Sequence, residues 1–285
     1  MTGSKDDLQK YYAGALQRCL DMFGRLDAED WQASANRGSW TARDYLGHLI
    51  TRQEQGINAT ISQGIAGQPV NLPGFTQRSQ VAESNASILE TVGHLTPQQL
   101  LSRFQATFEE NIRLLESLSE AELRRPVHPP VISRPGTVKD MFAVGYFHLM
   151  WHYQDIRHCI RKRRTVPHWC DLCSADDIHH LLDTICAMVP LAYWPERGGN
   201  LQATFLFSMQ GKGGGQWTLQ VADGQCRSHE GAPERADVEV RVTPADWISV
   251  FTKDLNPFWA LITRRMRVRG KLRLMMGFDR LFEIG

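Results

Sequence analysis

The hydrophobic pattern changes period once along this chain, close to Pro167, and that change constrains the fold more than any other feature. Before it, apolar residues recur at helical spacing: Leu8, Tyr11, Tyr12, Leu16, Leu20 and Phe23, then Tyr45, Leu46, Leu49 and Ile50, then Met141, Phe142, Val144, Phe147, Met150 and Trp151. After it, Leu201–Met209, Gln216–Ala222 and Val238–Val242 alternate as strands do. A chain of 285 residues has room for two cores. The pattern predicts a helical domain over residues 1–166 and an α+β domain over residues 170–285.

Local signals set the element ends. The first helix spans residues 5–25 and closes at Gly24. Thr41 and Asp44 form a T-x-x-D capping box for a second helix running to about Gly64. Residues 79–118 read as helix interrupted near Gly93–Pro97. Pro126, Pro129, Pro130 and Pro135 exclude helix from the following stretch, after which Thr137 and Asp140 cap a strongly apolar helix ending in the basic run Arg161–Arg164. Four such helices with a long crossover make a bundle. Beyond Pro167 come a helix over residues 175–189, a loop at Gly211–Gly215, a helix from Pro244 broken at Asn256–Pro257, alternation over Met266–Leu274 and a short terminal helix.

Net charge is +1, so no global field favours nucleic acid, an acidic substrate or an anionic membrane. No run approaches the roughly 20 apolar residues of a membrane span, and Met1–Lys10 lacks the apolar core of a signal peptide, which leads us to expect a cytoplasmic protein without stable membrane insertion. Cys19, Cys159, Cys170, Cys173, Cys186 and Cys226 are expected as thiols. Cys170 and Cys173 form a C-x-x-C ahead of His179 and His180, but without the βαβ setting of a redox motif they read as a buried thiol pair.

His148 and His152 lie four apart on one capped helix, so both imidazoles leave the same face one turn apart, as two ligands of one ion must. A third donor is needed, and His48 offers one from another helix, although residue counting does not fix its depth relative to the pair.

The segment Ser39-Trp40-Thr41-Ala42-Arg43-Asp44-Tyr45-Leu46-Gly47-His48-Leu49 resembles the second-helix motif of the DinB/YfiT superfamily. Thr137-Val138-Lys139-Asp140, leading to His148-Leu149-Met150-Trp151-His152-Tyr153-Gln154-Asp155-Ile156-Arg157, resembles that family's H-x-x-x-H helix. The resemblance covers roughly residues 5–165. It implies an up-and-down four-helix bundle and a site in which His48, His148 and His152 hold one divalent ion. Three imidazoles with open positions suit catalysis rather than a closed structural site; zinc is the first choice, with nickel and iron compatible. Asp155 lies on the face of His152 and could orient it, whereas Asp44 reads as a cap. Tyr153, Gln154 and Asp155 are candidates to relay a proton or bind substrate, with Tyr153 and Asp155 taken as the catalytic pair.

The second half resembles the sterol carrier protein type 2 superfamily. The resemblance rests on Ala236-Asp237, Val242-Thr243, Asp246-Trp247, Asn256-Pro257, Met266-Arg267-Val268-Arg269-Gly270-Lys271-Leu272 and Leu281-Phe282, in that order. It implies a five-stranded sheet covered by helices, with an apolar tunnel for which Trp247, Phe251, Phe258, Trp259, Met266, Met275 and Met276 are candidate lining. The basic cluster Arg264, Arg265, Arg267, Arg269, Lys271 and Arg273 reads as a largely solvated face.

The pair of domains resembles the arrangement of mycothiol-dependent maleylpyruvate isomerases. There one of the paired helical ligands is a glutamate; here both are histidine, so that substrate does not carry over. The resemblance implies a thiol-dependent S-transferase or isomerase acting on a small hydrophobic electrophile, with a low-molecular-weight thiol as co-reactant. A non-heme iron oxygenase-like enzyme related to the sulfoxide synthases, and a non-catalytic carrier of lipid or another hydrophobic ligand, are the alternatives. Expected partners are a small hydrophobic substrate or lipid and no nucleic acid; a homodimer is compatible.

Overall fold

The computed structural model describes residues 4–36, 39–74 and 76–282; the polar start at residues 1–3 and the last three residues lie outside them. The chain divides into two compact units, each with its own core. The helical unit takes in the chain up to Val131 and again Pro135–Trp169; the second takes in Ile132–Arg134 and the chain from Cys170 onward.

The longer helices of the first unit are α1 Lys5–Phe23, α2 Ala42–Arg52, α3 Ala59–Ile65, α4 Val81–Val92, α5 Pro97–Ser117 and the longest, α6 Val138–Ile160. Helices α1, α2, α5 and α6 pack as a four-helix bundle, with α4 laid against α2. Tyr12 meets Phe108 with ring centroids 6.2 Å apart and Phe23 meets Phe104 at 5.4 Å, joining α1 to α5 through edge-on aromatic contacts. The capping boxes read from the sequence open α2 at Thr41 and α6 at Thr137.

The second helix is not α-helical throughout. Between α2 and α3 the chain takes one π-helical stretch, Gln53–Asn58, which is wide enough to align side chains five residues apart. Gln53 Nε2 donates to Asn58 Oδ1 at 2.8 Å, Asn111 Nδ2 donates to the same oxygen at 2.6 Å, and the Tyr12 hydroxyl donates to Gln53 Oε1 at 3.4 Å. A polar network thus occupies the bundle interior where an apolar repeat would give no hint of it. The run Arg161–Arg164 does more than complement a helix terminus. Arg163 Nε lies 3.0 Å from Asp30 Oδ1 and its Nη2 2.6 Å from Glu29, while Arg164 reaches Asp27 at 2.8 Å and also pairs with the fully buried Asp30.

In the second unit, α7 Ala175–Met188 precedes five strands: β1 Ala203–Met209, β2 Gly215–Ala222, β3 Gln225–Glu230, β4 Val238–Val242 and β5 Met266–Gly270. Their order in the sheet is β3-β2-β1-β4-β5, with β1 and β4 parallel and the other neighbours antiparallel. The register aligns Phe207 with both Trp217 and Val240, so one face collects Phe205, Phe207, Trp217, Leu219, Val238, Val240 and Val242. Helix α7 covers it through Asp183, which accepts from Trp217 Nε1 at 3.3 Å. Helix α8 Pro244–Phe251 adds Trp247 against Phe207 at 4.8 Å. Helices α9 Pro257–Ile262 and α10 Leu272–Met276 flank β5.

Two elements differ from the pattern-based reading. Strand β3 was not expected because Cys226 alone is buried along it; the signal that marks it is the Asp223-Gly224 turn, whose φ values of 52° and 70° suit a two-residue hairpin. The alternation read through Met266–Leu274 stops as strand at Gly270, where φ is 97°, and Leu272 begins a helix instead.

Close approach of α6 to the polar network depends on Gly145, where a Cβ would overlap the Tyr12 hydroxyl and stand 2.9 Å from Gln53 Oε1. Gly145→Ala is expected to lower stability by about 1–3 kcal/mol despite the better helix propensity of alanine. Urea unfolding checks this; an unchanged midpoint would show that the network yields freely.

Candidate metal centre

Each histidine is placed by a capped helix. Asp44 N donates to Thr41 Oγ1 at 3.2 Å and Thr41 N to Asp44 Oδ2 at 2.9 Å, which fixes the start of α2 and sets His48 on its inner face. The same exchange between Thr137 and Asp140, at 3.2 and 2.8 Å, fixes α6, from which His148 and His152 project together. Packing of α2 against α6 brings the three rings to one point. His148 Nε2 lies 2.9 Å from His152 Nε2 and 3.3 Å from His48 Nε2. One donor atom from each ring falls within 4.8 Å of the other two, and among the described residues no other group of three His, Cys, Asp or Glu does this.

Aromatic rings flank two of the histidines. Trp40 stands 5.1 Å from the His48 ring and Tyr45 5.5 Å from that of His152. Burial, reinforced by the neighbouring histidines and then by Arg52, holds His48 well below its ordinary pKa; burial, then His152 and Arg52, does the same to His148. Both rings therefore present neutral lone pairs. Arg52 is itself partly buried, with Nε and Nη2 on Asn85 Oδ1 at 2.9 and 2.6 Å.

His152 Nδ1 lies 2.8 Å from Asp155 Oδ2, so the carboxylate accepts the Nδ1 proton and leaves Nε2 aimed at the centre. The Nδ1 atoms of His48 and His148 are buried with no hydrogen-bond partner among the described residues. All three rings thus turn Nε2 inward. Tetrahedral nitrogen ligands at about 2.1 Å from one ion stand about 3.4 Å apart; the His148 to His48 separation of 3.3 Å is close to this and the His148 to His152 separation of 2.9 Å is shorter. The donor set, its spacing and the neutrality of His48 and His148 fit a single divalent ion with open positions.

Other expected residues fall as follows. Asp44 is engaged in its cap. Tyr153 is fully buried, turned from His152 by one helical step, and its hydroxyl donates to the Pro167 carbonyl at 3.1 Å beside Trp169, so the structure does not bring it to the triad as it brings Asp155. Gln154 accepts from Trp169 N at 3.3 Å. Cys170 and Cys173 are buried, and burial pushes the Cys170 thiol up to about 12, away from thiolate chemistry. In the second unit, Trp247 and Met266 face its core and Phe251 and Met275 are half-buried. Phe258, Trp259 and Met276 correct the tunnel reading: they point to solvent, because Ala260 is the one residue of α9 that faces inward and α10 buries none. Trp40, Tyr45, Arg52 and Asn85 were not singled out. Tyr45 and Arg52 lie three before and four after His48, a helical spacing that puts them on its face of α2, where Tyr45 meets the His152 ring.

Known proteins share both halves. The family described as the DinB superfamily matches residues 11–156, and the SCP-2 sterol transfer family matches residues 195–283. The crystal structure of a mycothiol-dependent maleylpyruvate isomerase is similar with a TM-score of 0.59 at 11% identity, covering 87% of this chain and 88% of that one. An uncharacterised protein of Clostridium difficile 630 gives a TM-score of 0.50 at 15% identity over 58% of this chain and 99% of its own. Hydroxysteroid dehydrogenase-like protein 2 of Homo sapiens is 28% identical over 83 residues, 29% of this chain; the chain spans 20% of that relative's length.

Depression of the His48 and His148 pKa values has a consequence for stability. Below 6.5, their ordinary value, the unfolded chain takes up protons on these groups that the folded chain refuses, so metal-free stability falls as pH drops below 6.5 and is level above it. Urea midpoints of chelator-treated protein between pH 8 and 5 check this. The fall is expected to be shallower in a His48→Gln/His148→Gln variant; parallel curves would contradict the assignment.

Proposed function

The chain belongs to the DinB superfamily, and on that footing we propose that it is a metal-dependent enzyme in which His48, His148 and His152 hold one divalent ion, with zinc first and nickel second. The observation that carries this reading is the convergence of three imidazole Nε2 atoms from two helices, those of His48 and His148 held neutral by burial. We assign it a thiol-dependent transfer or isomerisation on a small hydrophobic electrophile.

A bound divalent ion supplies Lewis acidity, lowering the pKa of a thiol or water at its open position so that a nucleophile forms at neutral pH. The protein's own groups prepare that position. Asp155 keeps the His152 proton on Nδ1 and raises the basicity of Nε2. His48 and His148 stay neutral because burial penalises their charged forms. Trp40 and Tyr45 give the site apolar walls, which suits a hydrophobic substrate and limits the access of water. Tyr45 keeps its phenolic proton, since burial and the nearby Asp155 carboxylate both raise its pKa, and can donate a hydrogen bond to substrate. The Asp155 carboxylate beside the triad is engaged by His152 Nδ1, which favours chemistry whose nucleophile is activated by the ion. Ferrous iron in the same ligands would instead favour an oxygen-consuming enzyme.

For the second unit we propose binding of a hydrophobic small molecule, lined by Trp247, Phe251, Met266 and Met275. It is supported by the match to the SCP-2 sterol transfer family and by Trp247 Nε1, a buried donor with no partner among the described residues that could take the polar end of such a ligand.

Metal content and turnover test the proposal together. Purified protein reconstituted with zinc or nickel is expected to bind one ion per chain and to consume a low-molecular-weight thiol in the presence of an activated electrophile. Replacing all three histidines by alanine is expected to remove the ion and lower the rate by at least about 100-fold. Full activity in the metal-free triple variant would overturn it, and oxygen uptake by an iron-loaded protein would transfer the site to the oxygenase reading. Asp155→Asn is expected to keep the fold and weaken metal affinity about 10–100-fold, read by chelator competition.

A further inference from the structure

Helix α9 is folded with its apolar side chains outward. Asn256 caps it, its Oδ1 accepting from Phe258 N at 2.8 Å and Trp259 N at 3.4 Å, and Thr263 Oγ1 closes the far end on the Trp259 carbonyl at 2.6 Å. Ala260 is buried, while Phe258 is 71%, Trp259 61% and Ile262 67% exposed. On α10, Leu272 and Met276 are 57% and 79% exposed. Large apolar groups held in water by an ordered helix mark a surface that something else covers.

Charge identifies the cover. Between Lys253 and Arg273 the chain carries seven cations (Lys253, Arg264, Arg265, Arg267, Arg269, Lys271 and Arg273) and one carboxylate, Asp254, although the whole chain is nearly neutral at +1. Asp246 holds Arg265 and Asp237 holds Lys271. Arg264 follows Thr263, the C-cap of α9, and Arg267 and Arg269 are exposed on the same face of β5, the edge strand against which α9 packs. A symmetric contact with a second copy would set this basic region against itself. Aromatic and aliphatic groups inserted at headgroup depth, ringed by arginine and lysine, are instead what an anionic bilayer surface attracts.

We propose that α9 and its basic flanks dock the second unit on anionic lipid bilayers. Attachment is peripheral and reversible, because no helix among the described residues is long and apolar enough to cross a membrane. Phe258, Trp259 and Ile262 enter the interfacial layer; Arg264, Arg267 and Arg269 meet lipid phosphates and carboxylates. The docking does not depend on the metal reading of the first unit.

The test is co-sedimentation of the full chain with vesicles of phosphatidylcholine alone or with about 30% phosphatidylserine, at low and high salt. Binding at least about 10-fold tighter to the anionic vesicles is expected, weakening as salt rises. A Phe258→Ser/Trp259→Ser/Ile262→Ser variant, with its fold verified by circular dichroism, is expected to lose binding, and Arg264→Gln/Arg267→Gln/Arg269→Gln to weaken it and flatten its salt dependence. Failure of the unmutated chain to bind anionic vesicles, or undiminished binding by the serine variant, would overturn the proposal. So would a dimer that dissolves in the serine variant while lipid binding is absent, which would give the surface to a second copy.

Discussion

Three nitrogen lone pairs share a buried space only when something positive lies among them. With Nε2 separations of 2.9 and 3.3 Å and apolar walls around them, His48, His148 and His152 repel one another unless a proton or an ion sits at their centre. Burial opposes an added proton on His48 or His148, and a neutral ring that keeps its proton on Nε2 can bridge only one pair of nitrogens. An ion that all three rings ligate resolves the repulsion at once. The bundle holds the arrangement ready: capping boxes fix where α2 and α6 begin, Asp155 fixes the proton on His152, and helix packing supplies the convergence.

That convergence has structural costs elsewhere in the helical unit. To pack α6 closely, the chain needs a glycine at 145, and the space opposite is filled by the polar group of Tyr12, Gln53, Asn58 and Asn111. The π-helical stretch allows Gln53 and Asn58 to meet without breaking the helix that carries His48. At the far end of α6, Arg163 and Arg164 close on the buried Asp30, so the helix that carries His148 and His152 is anchored at both ends.

Much of this was legible in the residues. Helical periodicity and the T-x-x-D boxes gave α1 and α6 to within a few residues and the start of α2, and the i, i+4 histidines gave one side of the site, because those signals are local. The depth of His48 was not legible from spacing, since it depends on how two helices pack; resemblance to a family supplied what counting could not. The π-helical stretch was invisible because the side chains it aligns bond to Tyr12 and Asn111, distant in sequence. Strand β3 was hidden by its polar composition as an edge strand. Phe258 and Trp259 misled for the opposite reason: hydrophobicity suggested an interior, and the short helix α9 turns them outward around Ala260.

The direct test of the central claim is the shell of atoms around the ion, read by X-ray absorption at the zinc or nickel edge of reconstituted protein. The account expects three imidazole nitrogens at about 2.0–2.1 Å, with light atoms filling the remaining positions and no sulfur in the thiol-free protein. A sulfur shell at about 2.3 Å would move the ion to the cysteines, and a shell without imidazole scattering would contradict the three-histidine centre outright.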